Sequence, residues 1–550
     1  MTNNNQGKEE PEYDVIVIGG GPNGEVLACY LQRAGGKVLL VERRHEMGGG
    51  LMTEDFAGFR FNLHATYMMM GELMPPVNDL FLAQYGVDFP RPEVQMSLFY
   101  EKNRALVFYL DPRKTADSIR RLSPGDEAKF EKLYGDFKNV CEKCLIPWTY
   151  VPPQTPENYS SMLRRTEIGR KVLELTGMSA IEIIESYGIR DDRVKAAILY
   201  LGCKWGVDPN LKGIGHLFAF YAYRMMNAAI VRGGSHRLNS AIMRSGYEAG
   251  LEVKELTEAK KIIVENGEAK GIVTTKGEEI RARAVVSSLN PPKTFLELVG
   301  EDKLRDPEIV DSAKNWQWDQ WSLFCMHMAT KTLPKYKAES TDPHCGEAIS
   351  CVIGYSGVDE VVKHWKDSMN STLPGTNATF TPMSLFDPSQ APTGYNIVRV
   401  ETEAPYEVAG SDWDTLMYEY RDSILDDWYE YLTNKEELRI IKNYVYPPNY
   451  IELKLPDMVR GSFKQGAYIP SQIGYLRPNS KCSSYSTPIK GLYVTGAFVH
   501  PGGMITLGPG YAAARKVADD LGLEVWWKAP DWLEEARKNG FVAFDRELES

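Results

Sequence analysis

A chain of 550 residues is too long for one compact core, so two structural domains are expected. Hydrophobic residues at 43% and charged residues at 25% are the balance of a packed globular protein and exclude a disordered or fibrous one. A net charge of -11 without a standout Lys/Arg cluster repels polyanions, which argues against nucleic acid and for a small or neutral ligand.

The opening segment, MTNNNQGKEEPEYD, lacks the basic and apolar regions of a signal peptide. No uncharged apolar stretch of about 18 residues occurs, so no transmembrane segment is expected and the chain reads as soluble and cytoplasmic, any membrane contact being peripheral. Eight cysteines without a framework spacing suit reduced thiols. Cys141 and Cys144 form a C-x-x-C within a polar, helix-like stretch and are read as structural. The eight histidines show no paired ligand spacing, so no metal is expected.

In chain order, Tyr13 to Ile18 (YDVIVI) is a β-branched apolar run suited to a strand buried on both faces. Glycines follow at once. From Glu25 to Ala34, Leu27, Leu31 and Ala34 recur at helical spacing, and Gly35-Gly36 stops the helix. Lys37 to Val41 is a second strand, which completes a β-α-β unit. Residues 75 to about 225 lack strand-helix alternation and read as a separate lobe. From Val231 a glycine turn, a helix and a strand return, followed by β-runs broken at Asn266-Gly267 and Lys276-Gly277, both hairpin signals. Residues 300 to 480 are mixed. Gly491 to Gly496 is another buried strand, with glycines and a helix through AAARKVADDL after it.

Gly19, Gly21 and Gly24 form G-x-G-x-x-G, with Pro22 and Asn23 inside it, between the first strand and its helix. This context lets backbone N–H groups meet a pyrophosphate at a helix N-terminus. Glu42 ends the second strand about 20 residues on, where a carboxylate accepts from ribose hydroxyls and disfavours a 2′-phosphate, hence NADP.

Glu42-Arg43-Arg44 leads into Gly48-Gly49-Gly50 and Thr53, a run that resembles the second signature of glutathione-reductase-type FAD proteins. ERRHEMGGGLMTEDFAGFRFNLHATY, GGSHRLNSAI with AVVSSLNPPKTFLELV, and GLYVTGAFVHPGGMITLGPGYAAARKVADD are similar to the phytoene-dehydrogenase-related branch of the phytoene desaturase and amine oxidase flavoproteins. Gly50 stands where amine oxidases carry Arg, which weakens an amine oxidase reading. The resemblance implies FAD as cofactor, with Arg43, Gly49 and Gly50 in its site and Glu42 on the adenosine ribose. It further implies that Ala259, in the strand after Gly250, offers its backbone to adenine, and that Gly496 and Ala497 lie near the pyrophosphate and ribityl chain. Met504 and Ile505 are implied to bring N–H groups to the pyrimidine edge of the flavin. His64, Tyr67 and His500 fall where the resemblance puts side chains beside the isoalloxazine, and His exchanges protons near neutral pH.

The implied fold is α/β: a discontinuous Rossmann-like FAD-binding domain (10–74, 226–300 and 480–522), an inserted α+β substrate or lid domain (75–225 and 301–479) and a C-terminal tail (523–550). The implied activity is desaturation or saturation of a hydrophobic isoprenoid or alicyclic substrate through flavin N5. Its acceptor is a quinone, oxygen or a protein, and homo- and hetero-oligomers both remain open. Two alternatives stand beside it: a redox-neutral polyene isomerase and a non-catalytic flavoprotein of a complex. The run from His216 to Val231 is read as core, with a cavity lining as its alternative. Trp526, Trp527 and Trp532 are read as docking on the chain's own body, ahead of a partner or a lipid surface.

Overall fold

The computed structural model describes residues 11–543. Most of the opening segment, residue 10 of the first nucleotide piece and residues 544–550 of the tail lie outside the described residues.

Two seven-stranded sheets organise the chain. In the first, Glu252–Lys254, Val38–Val41, Tyr13–Ile18, the end of Glu279–Ser287 and Leu492–Val494 run parallel, side by side. Val15, Ile16 and Val17 in its centre are fully buried: Val15 and Val17 pack with Val26, Leu27 and Leu31 of the helix that follows, and Ile16 packs on the other face with Ala259, Ile262 and Ile272. Ala259–Glu265 and Glu268–Thr274 extend it as an antiparallel meander. The turn between them holds Asn266 at φ 52° and Gly267 at φ 81°, the two left-handed positions that an Asn-Gly hairpin supplies. Ala259 therefore opens the second strand after Gly250, one strand later than the sequence reading has it.

The helix Pro22–Arg33 starts with Pro in its first turn and with Gly21 as an N-cap that offers no side-chain bond. Its first N–H groups are thus left for another acceptor. It packs against the helices His236–Glu248 and Gly508–Leu521.

The second sheet runs Ile440–Tyr446, Trp321–Thr330, Asn396–Pro405, Ala378–Thr381, Ser350–Ile353, Val94–Glu101, Arg104–Tyr109. Along Asn396–Pro405, Val398, Val400 and Ala404 pack with Phe324, Met326, Phe380 and Trp428 in an apolar core. Strand alternation turns Arg399, Glu401 and Glu403 to the opposite face, and that face is buried as well: these residues are 2%, 2% and 5% exposed.

The remaining sequence readings find their places here. The helix Gly215–Met225 is buried throughout. Trp526 donates its indole N–H to the Tyr30 carbonyl at 3.1 Å and Trp527 meets the Tyr30 ring edge-on, while Trp532 packs on Tyr150. Cys141 and Cys144 are buried and bond to the carbonyls of Ala219 and Phe541. Burial pushes the Cys144 thiol up to about 12, the state of an inert core thiol. Among the described residues no helix is long and apolar enough to cross a membrane.

Candidate functional site

A cleft of about 430 Å³ lies across the carboxyl ends of the parallel strands, the position at which open α/β sheets bind ligands. Every residue read from the sequence as cofactor-binding lines it: Gly19, Gly21, Pro22, Asn23, Gly24, Glu42, Arg43, Gly49, Gly50, Ala259, Gly496, Ala497, Met504 and Ile505.

The glycines do different work. A Cβ on Gly24 would stand 2.3 Å from the Gly19 carbonyl, so the close approach of helix and strand demands glycine there. A Cβ on Gly21 would meet no atom within 4 Å. Gly21 therefore keeps open the space in front of the uncapped helix N-terminus, and the site fits a bound diphosphate. The Ser288 hydroxyl donates to the carbonyls of Ile18 and Gly19 at 2.9 and 3.1 Å and pins the turn from below. Glu42 accepts the N–H groups of Gly20 and Arg44 at 2.8 and 2.9 Å, which fixes its carboxylate at the cleft wall. Glu25 is fully buried under the turn with neither carboxyl oxygen bonded. Burial, then repulsion from Glu42, raises its pKa well above the usual carboxylate range, so it adds no negative charge beside an anion site.

The other wall comes from distant segments. Gln465 accepts the Ala497 N–H at 2.7 Å and bonds to Asp457, and Asp457 in turn takes the Asn290 N–H at 2.9 Å. The buried Arg477 donates to the carbonyls of Ala497 at 2.9 Å and Lys464 at 2.6 Å. Met504 and Ile505 stand at φ 73° and 51°. Such left-handed geometry costs about 1–3 kcal/mol per non-glycine residue and clusters where a backbone meets a ligand.

A second cavity, about 90 Å³, is lined by His64, Tyr67, Trp205, Leu323, Cys325 and Ile451, among others. It shares Gly50, Met458, Phe463, Met504 and Ile505 with the cleft, so the two spaces meet at the segment implied to hold the flavin. The Tyr67 hydroxyl lies 2.7 Å from that of Thr381, and its ring meets Trp205 edge-on. His64 Nε2 lies 3.3 Å from the Tyr446 hydroxyl. Burial, with Arg44, Lys454 and Arg399 nearby, lowers the His64 pKa to about 3. His64 is therefore neutral at physiological pH, and its proton exchange is displaced from the neutral range that a free imidazole has.

His500 lines neither cavity. It is fully buried, its Nε2 is 2.8 Å from the Trp148 carbonyl, and its ring packs on Trp148 at 4.2 Å. Burial lowers its pKa to about 3. The geometry is that of a core histidine tying two segments together. No residue from His216 to Val231 lines either cavity.

Sequence reasoning missed the polar wall of the second cavity. Arg399 and Glu401 line it as an ion pair, and Lys204 pairs with Glu401 from behind Tyr67 and Trp205. The available signal was the V-R-V-E-T-E alternation, which reads equally as a strand with one face in water. Asn290, Asp457 and Gln465 were missed because their network joins segments up to 175 residues apart, the span from Asn290 to Gln465.

Residues 17–83 match the model of an NAD(P)-binding Rossmann-like domain. The chain is 42% identical over 546 residues to one of the subunits of limonene dehydrogenase from Castellaniella defragrans, covering 97% of this chain and 100% of that one. It is 24% identical to a neurosporene-forming phytoene desaturase of Rhodobacter capsulatus, covering 92% and 94%. A solved putrescine oxidase superimposes with a TM-score of 0.58 at 13% identity, covering 93% of this chain and 99% of the other. That last likeness is one of fold.

Proposed function

This chain belongs to the family of the limonene dehydrogenase polypeptide and the phytoene desaturases, FAD-dependent oxidoreductases, and from that premise we propose that it oxidises or reduces a hydrophobic terpenoid or alicyclic substrate held in the second cavity. One observation carries the reading: an apolar cavity opens onto the same five residues, Gly50, Met458, Phe463, Met504 and Ile505, that line the cofactor cleft.

When bound, FAD supplies hydride exchange with substrate carbon at N5. Gly21, Asn23 and Gly24 would present backbone N–H groups to the diphosphate, with Gly19 turning the chain ahead of them, Pro22 opening the helix, Glu42 on the ribose and Arg43 and Gly49 flanking them. Ala259 would meet adenine, and Gly496 and Ala497 the diphosphate and ribityl chain. Met504 and Ile505 would offer N–H groups to the pyrimidine edge. Tyr67, held by Thr381, and His64, held neutral beside Tyr446, would orient the substrate and exclude water. His500 has no part in this reading.

The same reading assigns the first sheet to a nucleotide domain (10–74, 226–300, 480–522) and the second to a lid (75–225, 301–479). The limonene dehydrogenase relative is one polypeptide of a multi-subunit enzyme, which supports a hetero-oligomer here, with a partner protein, a quinone or oxygen as electron acceptor. Eight buried, unpaired cysteines support a reducing, cytoplasmic compartment.

The test is anaerobic mixing of the FAD-loaded protein, oxidised or reduced, with alicyclic terpenoids and with amines while the flavin absorbance is followed. The reading expects a response to terpenoids. Rapid reduction by an amine with no response to any terpenoid would overturn it.

A further inference from the structure

The far wall of the cofactor cleft carries a carboxylate with an acceptor position to spare. Asp457 lines the cleft and is only partly buried. Its Oδ1 accepts the Asn290 N–H at 2.9 Å and Asn290 Nδ2 at 2.8 Å, and its Oδ2 accepts Gln465 Nε2. Among the described residues all the donors to this carboxylate are uncharged amides. A carboxylate oxygen takes about two donors, which leaves Oδ2 one position. Burial raises the Asp457 pKa to about 6, so the group is ionised at neutral pH and only accepts. Gln465 ties it to the next stretch of the wall. Its Oε1 takes the Ala497 N–H at 2.7 Å, and Ala497 has no polar side chain of its own.

We propose that Asp457 is a cofactor-binding residue, its Oδ2 accepting a ribityl hydroxyl of FAD beside Ala497. This rests on the reading of the cleft as the FAD site. The diphosphate would meet a like charge at Asp457, and the adenosine ribose has Glu42 as its acceptor. The ribityl hydroxyls are neutral donors, and an ionised carboxylate bonds such donors strongly. Asn290 and Gln465 hold the carboxylate in one direction, so the acceptor is in place before the cofactor arrives. The same segment reaches the substrate space. Asp457 precedes Met458, which lines both cavities, and a Cβ on Gly50 would stand 3.2 Å from Met458 Cε. The residue that grips the ribityl chain therefore also seats the side chain at which cofactor and substrate spaces meet.

The experiment titrates the apoprotein with FAD and with an FAD analogue in which hydrogen replaces the ribityl hydroxyls, and follows the change in flavin fluorescence. Wild type is expected to favour FAD by at least about tenfold, as one hydrogen bond to a charged group gives. In Asp457→Asn that preference should shrink by about the same factor, since two groups in contact couple. An equal loss of affinity for both flavins would make Asp457 a mere support for Gln465 and overturn the assignment. A second analogue, lacking the adenosine ribose hydroxyls, should lose as much affinity in the variant as FAD does; if it loses none, the contact belongs to that ribose and the assignment fails. Should Asp457→Asn leave the apoprotein unfolded, Asp457→Ser takes its place, and equal affinity of wild type for FAD and the deoxyribityl analogue overturns the assignment without any variant. Uptake of neither flavin would sink the FAD reading itself, whereas FAD binding without a ribityl preference overturns only Asp457.

Discussion

Glu42 Oε2 accepts the backbone N–H of Gly20 at 2.8 Å, so the carboxylate ending the second strand and the glycine turn after the first are bonded to one another. In the proposed site, the ribose contact and the diphosphate cradle would therefore depend on one side chain. Glu42→Ala should weaken FAD binding by about 1.5–3 kcal/mol, the loss of charge-assisted hydrogen bonds. Titration of the apoprotein with FAD measures it, and an unchanged affinity would reduce Glu42 to a wall residue.

Two glycines three positions apart should fail differently. Gly21→Ala puts a methyl group into open space, so the apoprotein should keep its Tm while FAD affinity falls. Gly24→Ala drives the same methyl to 2.3 Å from the Gly19 carbonyl, and overpacking of that kind costs about 1–3 kcal/mol. Its apoprotein Tm should fall as well. Equal Tm values for the two apoproteins would remove the distinction.

The lowered pKa of His64, about 3 against the ordinary 6.5, makes a prediction with a definite sign. Below pH 6.5 the unfolded chain takes up a proton at this position and the folded chain does not, so stability is lost as pH falls toward 3. Between pH 6.5 and 5 the loss is about 2 kcal/mol. The acid-side fall in stability should be shallower by that amount in His64→Gln, as read from denaturation at each pH. Parallel curves for the two proteins would mean that His64 titrates normally in the folded state.

His500 bonds the Trp148 carbonyl and packs on its ring away from both cavities. His500→Asn should cost about 1–3 kcal/mol of stability, the penalty for disturbing a buried hydrogen bond, and leave the rate of flavin reduction unchanged. A large loss of rate at full stability would return His500 to the chemistry.

What could be read from the sequence was local. Tyr13–Ile18 is announced by its apolar run, the turn by glycines within six residues, Gly19 to Gly24, and the meander by Asn266-Gly267, because each is decided by neighbours along the chain. The wall formed by Lys204, Arg399 and Glu401 depends instead on the helices Asp192–Cys203 and Val358–Met369 and the segment at His64 covering that strand face, which makes an interior of a face that alternation alone would leave in water. His500 illustrates the converse. Its position near the closing cofactor segment suggests chemistry, and only the fold reveals Trp148 as its partner.

The central claim, that reaction occurs where the two cavities meet, is tested most directly by closing one and sparing the other. Ala65 lines the second cavity and not the first, so Ala65→Leu fills the substrate space while the FAD cleft stays open. The account predicts a holoenzyme with a normal flavin content and spectrum that terpenoids no longer bleach under anaerobic conditions. Bleaching at the wild-type rate in Ala65→Leu would contradict it.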